Sequence, residues 1–310
     1  MESNLRSFLI INQKPHNPKY PDPSSYVMAV ETVNWTRKDF HVHESHSADA
    51  LEATVERYCR VAEARGLDEV CFTTHFIITG PDVDHGVSPD LIGDYMDEIH
   101  SAQEDTEVSL RSGLEVDYFP GFERQIETIL DEHPFDFILG SLHYINGIDI
   151  GSRRNSPRFF KGRPIEASLT IYYEGWRKAV ESGLFDVMAH PDYFRKYLHL
   201  SNLEEPRWEQ YEASIHDAFE SLKKYNVGVE VNSSGYRHGI NDVYPIFDFV
   251  KALKEAGVDL VTIGSDTHSV YSLGSNTLKC AERLEKAGYD YTCVYKGRKS
   301  RKVSLSEILI

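Results

Sequence analysis

Residues 38–49 read KDFHVHESHSAD, and two histidines in this stretch, His41 and His43, are two positions apart. The stretch predicts a β-strand over residues 38–43. Side chains at positions i and i+2 of a strand point to the same side, so both imidazoles are aimed at one point. Alone, such a pair is a weak signal, because two partly buried histidines need not bind a metal ion.

Further potential ligands occur where later apolar runs end. Each of the following residues closes or follows such a run: His75, Glu115, His143, His190, Asp266 and His268. Because the series extends over most of the chain, it predicts a polynuclear metal site and therefore hydrolytic chemistry. Imidazole, carboxylate and water suit zinc, manganese or ferrous iron, and the lack of a cysteine ligand disfavours a structural zinc site.

Neighbouring residues bear on three of these candidate ligands. Glu115 has a competitor in Asp117, two residues further on, and is preferred because it lies nearer the predicted strand end. Pro191 directly after His190 ends a strand there. Gly264, two residues before Asp266, allows close approach of neighbouring groups to the backbone.

Seven short apolar runs predict the strands of one sheet: 38–43, 69–74, 108–115, 136–141, 185–190, 227–232 and 259–264. Amphipathic stretches separate them, and the first of these ends at Gly66, which suits a helix C-cap. This alternation implies a parallel sheet. The ligands follow many different strands, as in α/β barrels, whereas an open sheet would gather them at one switch point. A closed or nearly closed barrel is therefore predicted.

The chain's 310 residues, 41% of them hydrophobic, suffice for one large core or at most two domains. One domain, 36–310, is predicted because the ligand series continues without a linker. Residues 1–35 are rich in proline and polar residues, which predicts an N-terminal arm. The four cysteines form no CxxC pair, so we expect buried free thiols in a reducing compartment.

The formal net charge of −16 disfavours nucleic acid and anionic membranes as partners. Clustered metal ions would add local positive charge, so a small anionic substrate stays compatible with this charge. The apolar segment 8–11 is too short for a membrane span or a signal peptide. A soluble, cytoplasmic protein is therefore expected, and the sequence carries no signal for its oligomeric state.

Recognition of an anionic substrate needs cations near the metal ligands. Arg195 and Arg237 are the preferred candidates, because each lies within five residues of a predicted strand end. Their neighbours Lys196 and His238 are included as candidates for substrate binding. A third group, Arg153, Arg154 and Arg158, follows the fourth strand and is as readily explained as a solvated face.

Several segments around these residues resemble the polymerase and histidinol phosphatase (PHP) superfamily, in particular its histidinol-phosphatase branch. From residue 39 to residue 269 they read DFHVHESHSAD, TTHF, GLEVDYFPG, FDFILGSLHYING, ESGLFDVMAHPDYFRKY, EVNSSGYR and IGSDTHS. The resemblance implies an α/β fold, a distorted seven-stranded (β/α)7 TIM-like barrel, with a trinuclear metal centre. Carried over motif by motif, it implies nine metal ligands: His41, His43, Asp49, His75, Glu115, His143, His190, Asp266 and His268.

Two positions depart from the pattern of the family. Asp49 stands where many relatives have histidine, so a third metal ion is expected to bind differently or more weakly here. His46 is an alternative ligand at that place. Thr74 stands where relatives often have an aspartate before the histidine, and changes next to a ligand tune metal affinity.

The resemblance also implies metal-dependent phosphomonoester hydrolysis, with L-histidinol phosphate as the favoured substrate and two or three divalent ions (zinc, manganese or iron) as cofactors. A hydroxide bridging two ions would attack phosphorus, and Glu115 would bridge the same two ions. A metal-bound water, or else Asp266 or His268 if only loosely bound to metal, would protonate the leaving alkoxide. Asp192 on the rim would meet the positively charged part of the substrate.

Three alternatives stay open. The first is a PHP phosphoesterase acting on another small phosphate ester, such as a nucleotide or a sugar phosphate, because the fold does not decide the substrate. The second is an amidohydrolase, which would want a bridging lysine that is missing from residues 136–143. The third is a non-catalytic, metal-bound PHP scaffold, which the complete set of ligands disfavours.

Overall fold

A parallel barrel forms the centre of the computed structural model, which describes residues 33–309. Its seven strands are neighbours in this order: β1 (Lys38–Val42), β2 (Glu69–Phe76), β3 (Ser109–Asp117), β4 (Phe137–Ser141), β7 (Val187–Met188), β8 (Gly228–Asn232) and β9 (Val261–Gly264). Every neighbouring pair is parallel. The prediction of seven parallel strands is confirmed.

Backbone hydrogen bonds between the two edge strands nearly close the sheet. The Asp266 amide donates to the His41 carbonyl, and the His43 amide donates to the Thr267 carbonyl, both at 2.8 Å. These bonds join the carboxyl end of β1 to the segment that follows β9. They therefore bring two of the predicted ligand pairs together at the closure of the barrel.

Helices alternate with the strands and cover the barrel: α1 (Val55–Arg65), α2 (Ile92–Gln103), α3 (Glu123–Asp131), α4 (Ser156–Phe160), α5 (Ile165–Glu181), α6 (Glu212–Tyr225), α7 (Phe247–Glu255), α8 (Thr277–Lys286) and α9 (Leu305–Ile308). Thr54 caps the start of α1, and Gly66 ends it with a left-handed φ of 71°, as predicted. The buried Tyr58 of α1 donates a hydrogen bond to the His43 carbonyl at 2.9 Å, which ties this helix to the ligand-bearing strand.

A C-terminal hairpin of β10 (Tyr291–Lys296) and β11 (Lys299–Ser304) packs across the amino ends of the strands. The Tyr295 ring lies 4.7 Å from the Phe137 ring, and the Arg298 guanidinium pairs with Asp186 just before β7. Tyr295 and Val303 of the hairpin share one buried apolar cluster with Phe137 and Val187 of the barrel strands. The polar ligands are left at the opposite, carboxyl end.

Each of the seven strands differs from its predicted range by one or more residues at one end or both, and two of these differences concern the candidate ligands Glu115 and His190. β3 continues to Asp117, which pairs with Ser141, so Glu115 lies inside the strand rather than at its end. β7 ends at Met188 instead of 190, because His190 has a positive φ of 23° and Pro191 has no amide hydrogen to donate.

The segment after β4 is structured: it contains a hairpin of β5 (Tyr144–Ile145) and β6 (Ile148–Asp149), then α4 and the start of α5. Trp35, assigned by sequence to the arm, is buried in the core, so packed chain begins before residue 36. Residues 1–32 of the predicted arm, with the apolar segment 8–11, lie outside the described residues. All four cysteines are buried and free, as expected. Within residues 33–309, no helix has the length and apolar character of a membrane span.

Candidate metal centre

Eight of the nine predicted ligands converge at the carboxyl end of the barrel. They form four groups of three in which all ligand atoms lie within 4.8 Å of one another: His43, His75 and His268; His41, His190 and Asp266; His41, His43 and Glu115; Glu115, His143 and His190. Four residues, His41, His43, Glu115 and His190, each belong to two of these groups. The donor set of imidazoles and carboxylates matches the preferences of zinc, manganese and iron.

Glu115 lies at the centre of this cluster, and its two oxygens face different histidines. One oxygen, Oε2, is 2.9 Å from His75 Nδ1 and 3.4 Å from His43 Nε2. The other, Oε1, is 2.9 Å from His190 Nε2 and 3.7 Å from His143 Nε2. A carboxylate in this position is able to serve two ions at once.

Asp117, the competitor of Glu115, has a different partner. Its carboxylate lies 3.1 Å from His143 Nδ1 and accepts a hydrogen bond from the His143 amide, also at 3.1 Å. This leaves His143 Nε2 directed toward Glu115. Asp117 therefore orients a candidate ligand instead of occupying the centre.

The ninth predicted ligand, Asp49, lies at the edge of the cluster, with Oδ2 3.3 Å from His268 Nε2. His46, the alternative, is directed elsewhere: its Nδ1 lies 3.0 Å from Glu44 Oε2 and 3.9 Å from Glu98 Oε2. The structure therefore brings Asp49, and not His46, next to the other candidate ligands.

Two candidate ligands sit on left-handed backbone. Asp266 has φ 55° and His190 has φ 23°, conformations that L-residues rarely adopt and that concentrate at functional sites. Arg237 supports the first of them, because its guanidinium donates to the carbonyls of Ser265 and Asp266. Because its guanidinium makes these contacts, Arg237 supports the loop that carries Asp266. It does not line the cavity beside the cluster, which is described below.

Two supporting contacts were not predicted. Glu230 on β8 is 1% exposed and accepts a hydrogen bond from His41 Nδ1 at 2.8 Å. Ser47 Oγ lies 2.6 Å from Thr74 Oγ1 and accepts from the His75 amide at 3.2 Å, so two hydroxyls support the backbone of a candidate ligand. The sequence offered one signal for Glu230, namely that it is a charged residue between two valines in a strand that is buried along its length.

A cavity of about 340 Å³ opens beside the cluster. Its lining includes His75 and His143 together with Lys196, Asp82 and Asp149. Lys196 is the sole lysine or arginine among the described lining residues. Of the four predicted substrate-binding residues, it alone faces this cavity.

Arg195 and His238 line a separate cavity of about 490 Å³. Arg195 is buried and its guanidinium is taken up by carboxylates, with Nη1 3.1 Å from Asp192 and Nε 2.5 Å from Glu205. A buried guanidinium needs such partners, which is why it turns away from the metal centre. Asp192 is itself fully buried in this pair, so its expected contact with substrate at the rim is not supported.

The charges of the cluster depend on one another. Burial alone would raise the pKa of Glu115, but the surrounding imidazoles of His41, His143 and His75 hold it well below its ordinary value. Burial alone would lower the pKa of His143, but the carboxylates of Asp117 and Glu115 raise it to about 9. In the metal-free protein His143 therefore holds a proton at neutral pH, and a metal ion must displace it.

Chelator-treated protein is expected to lose stability as the pH rises from 6.5 to about 9. The pKa of His143 is raised on folding, so its stabilising charge is fully present below pH 6.5 and is lost as the pH rises through about 9. Melting temperatures of the metal-free protein across this range test the prediction. The slope should be smaller in His143→Gln, and a melting temperature that rises with pH in the unmodified protein would contradict it.

A parallel α/β barrel with a shared set of imidazoles and carboxylates at its carboxyl end is the arrangement of a metal-dependent hydrolase. The PHP domain family model matches residues 39–234, and the chain belongs to this family. Asp266 and His268 follow the matched region.

Relatives agree with this assignment over most of their length. "Probable histidinol-phosphatase" from Deinococcus radiodurans is 28% identical over 258 residues, covering 81% of this chain and 93% of the relative. "Histidinol-phosphatase" from Lactococcus lactis is 23% identical over 264 residues, covering 84% and 95%. A crystal structure of histidinol phosphate phosphatase from Lactococcus lactis, complexed with Zn, L-histidinol and phosphate, has a TM-score of 0.74 at 21% identity, covering 86% and 98%. This likeness shows that the fold is shared.

Proposed function

We propose that the protein is a metal-dependent phosphomonoesterase that hydrolyses L-histidinol phosphate to L-histidinol and phosphate. The observation that carries the proposal is Glu115, whose two oxygens each face a different set of histidines inside a barrel of the PHP family. The names of the full-length relatives support the substrate. The net charge of −16 leads us to expect no nucleic-acid partner.

Two or three divalent ions, zinc, manganese or iron, are proposed as cofactors. Glu115 would be shared by one ion held by His41 and His43 and another held by His143 and His190. A third ion would take His75 and His268, with Asp49 at its edge. When bound, such ions lower the pKa of water and neutralise charge on phosphoryl oxygens.

The chain's own residues would bind and orient the substrate. Lys196 would attract the phosphate, because it is the cation in the wall beside the cluster. Asp82 and Asp149 would face the ammonium and imidazole groups of histidinol phosphate. A cavity with both charges in its walls suits a phosphate ester that also carries positive charge better than a purely anionic sugar phosphate.

Of the two predicted donors to the leaving alkoxide, His268 would serve only in a site that holds two ions, because it would bind the third ion when that ion is present, and Asp266 would not serve. Burial alone would raise the pKa of Asp266, but His41, His43 and His268 hold it well below its ordinary value, so Asp266 stays ionised. His268 lies at the edge of the cluster, where its side chain is 28% exposed. That position gives it access to a leaving group in the open part of the site.

Phosphate release from a substrate panel tests the proposal. The panel contains L-histidinol phosphate, nucleoside monophosphates and sugar phosphates, each with manganese, zinc or iron supplied. We expect kcat/KM for histidinol phosphate to exceed the others by at least ~100-fold, about 2.7 kcal/mol of transition-state stabilisation. Similar slow rates throughout would favour another substrate, and no metal-dependent turnover of any ester would favour a scaffold.

Two variants of residues that line the cavity should distinguish binding of the phosphate from binding of the positively charged end of the substrate. Lys196→Met is expected to lower kcat/KM by ~10- to 100-fold for both histidinol phosphate and p-nitrophenyl phosphate, because both carry the phosphate. Asp149→Asn should lower it by a similar factor for histidinol phosphate and far less for p-nitrophenyl phosphate. Asp131→Asn, on the exposed end of α3, is the control. Equal losses on both substrates in Asp149→Asn would refute the assignment of the ammonium end.

A further inference from the structure

We propose that Glu230 is a positioning residue that holds two candidate ligands, His41 and His190, in the orientation that binds metal. The proposal rests on the metal centre of the proposed function. Glu230 lies on β8, and each of its two carboxylate oxygens accepts a hydrogen bond from one of these ligands. Its Oε1 accepts from His41 Nδ1 at 2.8 Å, and its Oε2 accepts from the His190 amide at 3.1 Å.

The first contact decides which nitrogen of His41 is available to a metal ion. When Nδ1 donates its hydrogen to Glu230, Nε2 carries the lone pair. That Nε2 lies 3.5 Å from Glu115 Oε2 and 3.7 Å from Asp266 Oδ1, at the centre of the cluster. The contact with Glu230 therefore fixes both the tautomer and the direction of the ring, as carboxylates behind metal-binding histidines do elsewhere.

The second contact stabilises unusual backbone. His190 precedes a proline and has φ 23°, so its amide is not in the ladder of β7. A buried amide without a partner costs free energy, and Glu230 Oε2 accepts its hydrogen. One carboxylate thereby holds ligands from two different strands, β1 and the end of β7.

A glycine in the intervening strand makes the first contact possible. β9 lies between β8 and β1, and Gly264 is the residue at the crossing. A Cβ at this position would lie 2.2 Å from Glu230 Oε1 and 2.4 Å from His41 Cβ. The absence of a side chain at Gly264 therefore opens the path along which Glu230 reaches His41.

The charge of Glu230 also points to the metal centre. A buried carboxylate is costly unless it is paired. Among the described residues, His41 is the one basic group in ion-pair distance of Glu230, while Asn232 Nδ2 donates to Oε2 at 2.9 Å. By contrast Glu69, another buried glutamate on a strand, is paired with Lys38 and Arg111 at the opposite end of the barrel.

Metal affinity and spectroscopy of Glu230→Gln test the proposal, with Glu69→Gln as the matched control. We expect Glu230→Gln to bind zinc ~10- to 100-fold more weakly in chelator competition and to change the visible spectrum of the cobalt-substituted protein. Glu69→Gln should change neither. Unaltered zinc affinity and an unaltered cobalt spectrum in Glu230→Gln would overturn the proposal, whatever happens to its melting temperature.

A second variant keeps the proposal testable if Glu230→Gln does not fold. Glu230→Asp keeps the charge but is one methylene too short to reach His41, so it should also weaken zinc binding, and wild-type affinity in it would overturn the proposal. These readouts involve no substrate. Zinc binding without hydrolysis of histidinol phosphate by the unmodified protein would therefore refute the proposed function and leave the role of Glu230 standing.

Discussion

Glu115→Ala is expected to lose bound metal and to reduce phosphatase turnover by at least ~1,000-fold, about 4 kcal/mol of transition-state stabilisation. The reason is the position of Glu115, with one oxygen 2.9 Å from His75 and the other 2.9 Å from His190. Removal of this carboxylate takes one ligand from two neighbouring groups at once. It also leaves the imidazoles around it without the negative charge that compensates them.

The measurement is metal content by elemental analysis together with kcat on histidinol phosphate at saturating metal. Glu115→Gln keeps the size of the side chain and one oxygen, so we expect an intermediate loss. Asp117→Asn should cost less than Glu115→Ala, because Asp117 acts through His143 alone. Normal metal content with normal turnover in Glu115→Ala would contradict the placement of the metal centre.

The sequence predicted the barrel because its strands carry a strong local signal. The run FILG, residues 137–140, carries no polar side chain, as suits a strand buried on both faces. The alternation of such runs with amphipathic helices allows few topologies. The positions of polar residues at successive strand ends were then enough to place eight candidate ligands in one cluster. Their roles as ligands stay predictions.

Substrate-binding residues were harder to predict, because adjacent residues have different tertiary partners. Arg195 and Lys196 are neighbours in a 3-10 segment, and both were candidates for phosphate. Arg195 is drawn into a buried pair with Asp192, while Lys196 lines the cavity. Arg195 also pairs with Glu205, which is the most exposed of its partners. Glu205 comes ten residues later in an irregular segment, where the periodicity of the sequence does not predict contacts.

Glu230 was missed for a similar reason. In the sequence it is a single charged residue in GVEVN, and nothing local relates it to His41, which lies 189 positions away. The relation appears only when the barrel closes and Gly264 lies between the two. Gly264 was predicted to allow a close approach to the backbone, and the group that approaches is a side chain from the next strand.

Gly264→Ala is therefore expected to destabilise the protein by about 3 kcal/mol, through overpacking of a buried site and disruption of the pair between His41 and Glu230. The added methyl group has no free direction, because it would meet Glu230 Oε1 at 2.2 Å and His41 Cβ at 2.4 Å. Urea unfolding of the metal-free protein measures the effect.

The control for this substitution is Gly93→Ala in helix α2, where an added Cβ has no atom within 4 Å. That variant should be stabilised slightly, by about 0.5–1 kcal/mol, because alanine is favoured over glycine in a helix. Gly264 has no positive φ, so any loss on its replacement arises from packing and not from backbone strain. If Gly264→Ala were as stable as the unmodified protein and bound zinc with the same affinity, the buried contact between Glu230 and His41 would not have the geometry that the structure assigns to it.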